Sequence, residues 1–315
     1  MNAQTLMELS VPEHLKEDVT RLIDSLKNKM GPTNEKLYYV AIATLIMDVW
    51  SPLMKNHVED LILRKAVEEN YLEDRHLKFV KVFDDEKDNN TNEDWIIKDQ
   101  DDAMVQLVWG VFNMKEHFKK TNTHRDYIRK TIDRLGEYMP ELHKDIVDRH
   151  DLSKFAFSQA IGYTLKWVHK ITNDISEMAL KLHLNNEPHH PQMWSHTHTP
   201  REKRLKTEMW TKNCCEFYQG GPYGLDVNKH KFKSEDMPIQ YLYESYIDLV
   251  ALEWQWKKNV NETILHDILK RKDDEIFDDT LVSIENNYLD RYKEDQKKII
   301  IALIHKIKKS CAESK

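Results

Sequence analysis

The spacing of apolar residues along the first part of the chain predicts a series of helices. Between Pro12 and Gly31-Pro32, apolar residues recur with the period of an amphipathic helix, at Leu15, Val19, Leu22, Ile23, Leu26 and Met30. The apolar run 37–50 predicts a buried helix, and apolar positions across 58–67 predict another. The segment 84–94 is acidic and contains no apolar residue, so it predicts a solvated loop.

The second part of the chain repeats this pattern around one long irregular stretch. Helical spacing continues from about Asp101 to Arg134 and returns at about 142–155, 175–186, 239–256 and 297–309. The stretch 187–236 is rich in proline and glycine and shows no helical period. A loop of that length inside a compact protein is typical of a functional segment, so we expect it to cover a site.

Composition agrees with a helical protein. The 315 residues include only 7 glycines and 9 prolines, too few for the turns of a many-stranded sheet protein, and 32% of residues are charged, which suits solvated helix faces. We therefore predict an all-α fold.

Net charge and cysteine content limit the binding partners and the cellular compartment that we expect. A net charge of -7 predicts repulsion from a phosphate backbone, so we expect no general nucleic-acid binding. The run 37–50 is too short to cross a bilayer, and the first residues lack the pattern of a secretory signal. Cys214, Cys215 and Cys311 offer no disulfide framework. We expect a cytoplasmic protein without a membrane partner.

Histidine is the residue type that points to chemistry. The chain has 16 histidines, and five of them fall within residues 183–198. Imidazole is the commonest protein ligand of borderline divalent metals, and carboxylates often complete such sites. His189 and His190 stand between Pro188 and Pro191, which restrict the backbone of both. This clustering favours a metal site.

Several of the other candidates are ambiguous when taken singly. His150-Asp151 precedes Lys154 by about one helical turn, but such a pair is usually solvated or caps a helix. His183 lies on an apolar helical stripe, where a hydrogen-bonded core histidine is the commoner reading. Glu244 and Asp248 lie one turn apart in an apolar helix, where protonation of one carboxylate, a bound cation or pairing with Arg or Lys would relieve their repulsion.

Taken together, these motifs resemble those of the HD-domain metalloprotein superfamily, whose ligand order is H…HD…D. His124 opens the order, HDLSKF at 150–155 supplies the His-Asp pair, and Asp248 closes it. Two-metal members of the superfamily have extra histidines. HDLSKF and the segment 183–194, with the pattern H-x-x-x-x-P-H-H-x-x-x-W, together are closest to an uncharacterised branch. Gln159, where a Glu is common, and the length of the segment between Trp194 and Met237 depart from the pattern.

The resemblance implies one or two divalent ions and a role for each matching residue. The implied metal ligands are His124, His150, Asp151, His183, His189 and Asp248, with Asp151 bridging two ions. Lys154 would hold an anionic substrate group, and Glu244 or His190 would transfer protons. Iron, manganese, zinc, magnesium, cobalt and nickel all stay open as the metal.

The expected activity is metal-dependent hydrolysis of a small phosphorylated or nucleotide-like substrate. One alternative is a diiron oxygenase resembling myo-inositol oxygenase, and another is a non-catalytic interaction module with a structural metal site. We expect an HD-like helical bundle over 111–260, an N-terminal helical region over 1–110 and a C-terminal helical extension over 261–315, or else one compact unit. The oligomeric state stays open.

Overall fold

A computed structural model describes residues 35–44, 52–82, 105–142, 148–191, 237–264 and 272–313, together with positions 16–17, 20–21, 24 and 46. The secondary structure of these residues is helical and includes no strand, which confirms the predicted all-α class. The segments 84–94 and 192–236, and most of the helix predicted before Gly31, lie outside the described residues. Among the described helices, none combines the length and apolarity needed to span a bilayer.

The longer helices are numbered here in chain order. They are α1 (Glu35–Thr44), α2 (Pro52–Glu68), α3 (Asp74–Val82), α4 (Met114–Leu135), α5 (Phe157–Tyr163), α6 (Asp174–Asn186), α7 (Ile239–Ile264), α8 (Asp273–Asn287) and α9 (Glu294–Glu313). Shorter turns are π-helical at Leu107–Val111 and Thr164–Val168, and 3₁₀-helical at Gly136–Tyr138, Leu152–Phe155 and Leu289–Arg291. The resemblance to an HD-domain bundle stays a prediction.

The chain divides into two compact units, each built from separate stretches. The first unit comprises Met1–Asn122 and Asp151–His183, and the second comprises Thr123–His150 and Leu184–Lys315. The divisions fall within α4, within α6 and at the peptide bond between His150 and Asp151. The domain boundaries expected near residues 110 and 260 stay a prediction.

The core of the first unit follows the predicted apolar pattern. In α2, Val58, Ile62 and Ala66 are wholly buried, as expected for residues that recur every four positions along one helix face. A chain of aromatic rings continues the core, because Phe118 packs edge-to-face against Trp109 and against Phe155. These contacts place the start of α4 against the Leu152–Phe155 turn.

The backbone at the His-Asp pair differs from the helix predicted over 142–155. Residues 143–147 lie outside the description, and after them the chain turns at His150 and Asp151 and continues as a 3₁₀ turn. Asp151 has a φ of 62°, in the left-handed region that breaks a right-handed helix and that Asp tolerates better than most residues. The expectation of one continuous helix was therefore wrong, although the Lys154 amide still donates to the Asp151 carbonyl.

The packing of α6 corrects a second expectation. The sequence predicts that Ile175, Met178, Ala179, Leu182, His183 and Asn186 form one buried stripe. Met178 is in fact 58% exposed and Leu182 36% exposed, whereas Ser176, Ala179 and His183 are buried. Gly162 of α5 lies directly against Ala179, so the backbones of α5 and α6 approach closely at this point. Only a face of α6 with small side chains allows that approach, and this is why the face that carries Ala179 is buried.

The second unit is organised around α7. Residues 241–251 of this helix are buried without interruption, as expected for a helix that is covered on all sides. Trp254 continues this core, packing edge-to-face against Tyr127 of α4 and against Phe277 of α8. The Arg134 guanidinium lies over the rings of Trp254 and Phe277 and pairs with Asp274 at 2.9 Å.

The contact at Gly162 gives a test of the first unit. A Cβ at Gly162 would lie 2.4 Å from Ala179 Cβ and 2.6 Å from the Ile175 carbonyl oxygen, so neither helix could keep its place. Gly162→Ala should lower the free energy of unfolding by about 1–3 kcal/mol, measured by urea denaturation. Gly110→Ala is the matched control, since the nearest atom to its added Cβ is 4.0 Å away. Equal stability of the two variants would contradict this packing.

Candidate metal centre

Two buried carboxylates on α7 are the basis of the candidate site. Glu244 and Asp248 are separated by one helical turn and therefore lie on the same face of α7. They are only 2% and 6% exposed. Burial of two carboxylates so close together is unfavourable unless hydrogen-bonding or cationic partners compensate for the lost water.

Histidines supply partners for Asp248. The Nε2 atom of His124, from α4, lies 3.0 Å from Asp248 Oδ1, and the Nε2 atom of His150 lies 3.5 Å from the same oxygen. His124 and His150 are buried, and one potential ligand atom from each of the three residues lies within 4.8 Å of the other two. Two imidazoles and one carboxylate at this separation could hold a divalent metal ion.

Glu244 contacts His150 as well, but through the ring nitrogen that does not face Asp248. The Glu244 Oε1 atom lies 3.0 Å from His150 Nδ1 and 3.4 Å from His189 Nδ1. The rings of His150 and His189 have centroids 4.2 Å apart. His150, His189 and Glu244 form a second group that could hold a metal ion, and His150 belongs to both groups.

The surrounding histidines hold both carboxylates in the ionised form. Burial alone raises the pKa of Asp248, but its contacts with His124 and His150 outweigh this effect and hold the pKa well below its ordinary value. Burial also raises the pKa of Glu244, and His150 and His189 lower it by more. Ionised carboxylates are the form that binds a metal ion.

The Glu187–His190 turn contains a carboxylate that the sequence analysis missed. Glu187 is fully buried, and its Oε2 atom lies 4.0 Å from His189 Nδ1. The amide of His190 donates to the Glu187 carbonyl, and the His190 ring lies 4.1 Å from the His189 ring. The sequence did contain one indication of this residue, because Glu187 stands directly before Pro188 and the pair His189-His190.

The first unit contains its own buried polar cluster. The Asp151 Oδ2 atom lies 2.6 Å from Lys154 Nζ, and Oδ1 lies 3.3 Å from His183 Nε2. The other ring nitrogen of His183, Nδ1, lies 3.1 Å from Ser153 Oγ. Asp151, Ser153 and His183 are buried, whereas the Lys154 side chain is 20% exposed.

The order Ser153, His183, Asp151 superficially matches a nucleophilic triad, but its burial argues against that chemistry. A nucleophilic hydroxyl must reach a substrate carbonyl or phosphoryl group. Ser153 has 0% exposure, and its hydroxyl is in contact with His183. The contact instead fixes the orientation of the His183 ring, with Nε2 towards Asp151.

His117 supports the backbone next to this cluster. Burial lowers its pKa to about 4, so the ring is neutral at neutral pH. Its Nε2 atom lies 2.8 Å from the Lys154 carbonyl oxygen, to which a neutral ring can donate, and the ring stacks on Tyr163. His117 thereby fixes the main chain at Lys154.

All the residues proposed from the sequence as site residues lie in the described part of the chain. In the second unit the structure brings together His124, His150 and Asp248, and joins His150 and His189 to Glu244. In the first unit it brings together Asp151, Lys154 and His183. Gln159, the departure from the HD pattern, is buried. The role of each residue as ligand or catalytic group stays a prediction.

The model of a family of unknown function (DUF5662) matches residues 113–306, which is more than half of the chain. The match extends from the start of α4 into α9 and includes every residue proposed for the site. No curated protein and no solved structure matches the chain.

Removal of one carboxylate tests the metal centre. Asp248→Asn keeps the side-chain shape but removes a charged ligand, so it should bind Co²⁺ much more weakly than the native chain. Loss of an outer partner costs about 10- to 100-fold in metal affinity, and loss of a direct ligand should cost at least as much. The measurement is titration of chelator-treated protein with Co²⁺, followed by absorption spectroscopy and calorimetry.

Glu253→Gln is the control, because Glu253 lies on the same helix but contacts Ser283 and Tyr288 instead of a histidine. It should bind Co²⁺ with native affinity. Native affinity in Asp248→Asn would remove Asp248 from the ligand set.

Proposed function

The chain belongs to a family of unknown function (DUF5662), and we propose that it is a divalent-metal-dependent phosphohydrolase with a small phosphorylated or nucleotide-like substrate. The observation that carries the proposal is the buried group of His124, His150 and Asp248. It contains two imidazole nitrogens and a carboxylate held ionised, a donor set that suits divalent zinc, iron or nickel better than magnesium.

The residues of this group would hold the ion, and each has a definable task. A bound divalent ion supplies Lewis acidity, which activates water near neutral pH and offsets the charge that develops on a phosphoryl group. Asp248 provides negative charge to the ion, and His124 and His150 provide neutral nitrogen donors. Burial of all three keeps bulk water from competing and strengthens their interaction with a cation.

Lys154 supports an anionic substrate. It belongs to the HDLSKF segment, four residues after His150, and its side chain is partly exposed while its ammonium group is paired with Asp151. A lysine held in this way offers a localised positive charge to a phosphate oxygen. The carbonyl contact with His117 fixes the backbone from which that side chain extends.

For proton transfer we favour His190 over Glu244. Glu244 already contacts two imidazole rings, whereas His190 is the most exposed histidine of the 183–190 segment, at 7%. The imidazole of a histidine is the side chain most often used to accept and donate protons near neutral pH.

The proposal includes the binding partners and the cellular compartment of the protein. The substrate is a small anion, and neither nucleic acid nor a membrane is a general partner, in keeping with the net charge of -7. The lack of a cysteine framework favours a reducing compartment, so we propose the cytoplasm.

A second candidate is oxygen activation at iron. Two histidines and one carboxylate are also the ligands of the facial triad found in non-haem iron oxygenases, and His124, His150 and Asp248 have that composition. Hydrolysis needs only Lewis acidity, whereas oxygen activation needs a metal that changes its oxidation state.

Metal substitution separates the two candidates. Chelator-treated protein loaded with Zn²⁺, Mn²⁺, Co²⁺ or Ni²⁺ should release inorganic phosphate from at least one member of a panel of phosphomonoesters and nucleotides, with and without oxygen. Asp248→Asn, loaded in the same way, should lose that activity and exclude a contaminating phosphatase. Activity that requires both iron and oxygen, with no phosphate release in any of these four metals, would replace hydrolysis with oxygen activation.

Lys154→Met tests anion recognition. Loss of a charged hydrogen bond costs about 1.5–3 kcal/mol, which corresponds to about a 10- to 100-fold fall in kcat/KM for phosphate release. Lys166→Met is a matched control, because Lys166 is 19% exposed, close to the 20% of Lys154, and pairs with Glu177 outside the cluster. Equal kcat/KM in the two variants would exclude Lys154 from substrate binding.

A further inference from the structure

His150 lies between the two carboxylates of α7 and contacts each through a different ring nitrogen. Its Nδ1 atom is 3.0 Å from Glu244 Oε1, and its Nε2 atom is 3.5 Å from Asp248 Oδ1. The ring has 0% exposure, so solvent does not decide which nitrogen carries the proton.

The chemistry of imidazole allows only one of these nitrogens to bind a metal. A neutral ring has one N–H and one nitrogen with a free lone pair, and only the second can be a ligand. His150 belongs to both possible metal groups, through Nε2 beside Asp248 and through Nδ1 beside Glu244. The position of the proton therefore decides which group can use His150 as a ligand.

The distances favour a proton on the Glu244 side of the ring. N–H···O hydrogen bonds have donor–acceptor distances of about 2.7–3.2 Å, which the Nδ1–Glu244 contact satisfies and the Nε2–Asp248 contact exceeds. The contact of His124 Nε2 with Asp248 Oδ1, at 3.0 Å, also lies in that range, and a metal ion held by both residues would have to replace it. With the proton on Nδ1, the lone pair of Nε2 is directed to the side of Asp248 and His124.

We infer that Glu244 is a positioning residue that accepts a hydrogen bond from His150 Nδ1–H and thereby directs the Nε2 lone pair of His150 towards the metal. The inference rests on the proposed metal centre at His124, His150 and Asp248. A histidine ligand commonly donates its second N–H to a carboxylate, which fixes the ring and strengthens the ligand. The group of His150, His189 and Glu244 is then an orienting network and does not bind a metal through His150.

The first experiment reads the proton position without any metal. Histidine ring nitrogens are labelled with ¹⁵N in the metal-free protein, and two-bond ¹H–¹⁵N correlations distinguish the two tautomers. The signals of His150 are identified by their loss in His150→Gln. The native chain should show His150 with its proton on Nδ1, and a proton on Nε2 would overturn the inference.

The second experiment compares Co²⁺ binding by Glu244→Gln, Glu244→Ala and Glu253→Gln. Gln can still accept a weaker hydrogen bond from Nδ1–H, whereas Ala cannot. Affinity should therefore fall moderately in Glu244→Gln and by about 10- to 100-fold in Glu244→Ala, and stay unchanged in Glu253→Gln. The number of ions bound per chain should be the same in all of them.

A fall by one bound ion in Glu244→Gln would make Glu244 a direct ligand and overturn the positioning role. Native affinity in Glu244→Ala would also overturn it. Neither experiment measures phosphate release, so an inactive protein that binds Co²⁺ would contradict the proposed hydrolysis and leave this inference standing. If the native chain bound no Co²⁺, the metal centre would fail, and the orienting role towards a metal would fail with it.

Discussion

The burial of Glu244 and Asp248 on one face of α7 is the constraint on which the second unit depends. A carboxylate moved out of water loses several kcal/mol of hydration, and an equally buried neighbour of the same charge adds repulsion. Contacts with His124, His150 and His189 compensate for this cost, since they hold the pKa of both carboxylates below the ordinary value despite burial. The helix can therefore occupy the core only when the segments that carry these histidines are also in place.

Much of this arrangement could be predicted from local sequence. The four-residue spacing of Glu244 and Asp248 in an apolar run places both on one buried face, because helix geometry alone determines that relation. The all-helical class followed from periodicity and from the scarcity of glycine and proline. The burial of His183 was also predicted correctly, although the stripe that predicted it wrongly included Met178 and Leu182. In each case the information lies within a few residues of the position concerned.

The features that could not be predicted depend on distant contacts or on the backbone. The left-handed conformation of Asp151 breaks the expected helix at the residue where the two units divide, and no apolar pattern encodes a φ angle. Met178 and Leu182 were placed inside by hydrophobicity, but the close approach at Gly162 required the face that carries Ala179. Glu187 was missed because burial of a charged residue in a turn depends on surroundings that are remote in sequence.

The ligand set alone does not select a reaction, because the same two imidazoles and one carboxylate serve both zinc hydrolases and iron oxygenases. The groups around the ligands have to make that distinction. A carboxylate such as Glu244, when it accepts the N–H of a ligating histidine, increases the electron density that the ligand gives to the metal, and this affects Lewis acidity and redox potential alike. A lysine that binds substrate affects neither directly, but it selects for an anion. Under the proposed function, the reaction class would therefore depend on the metal that is bound, and a charge such as that of Lys154 would restrict the substrates.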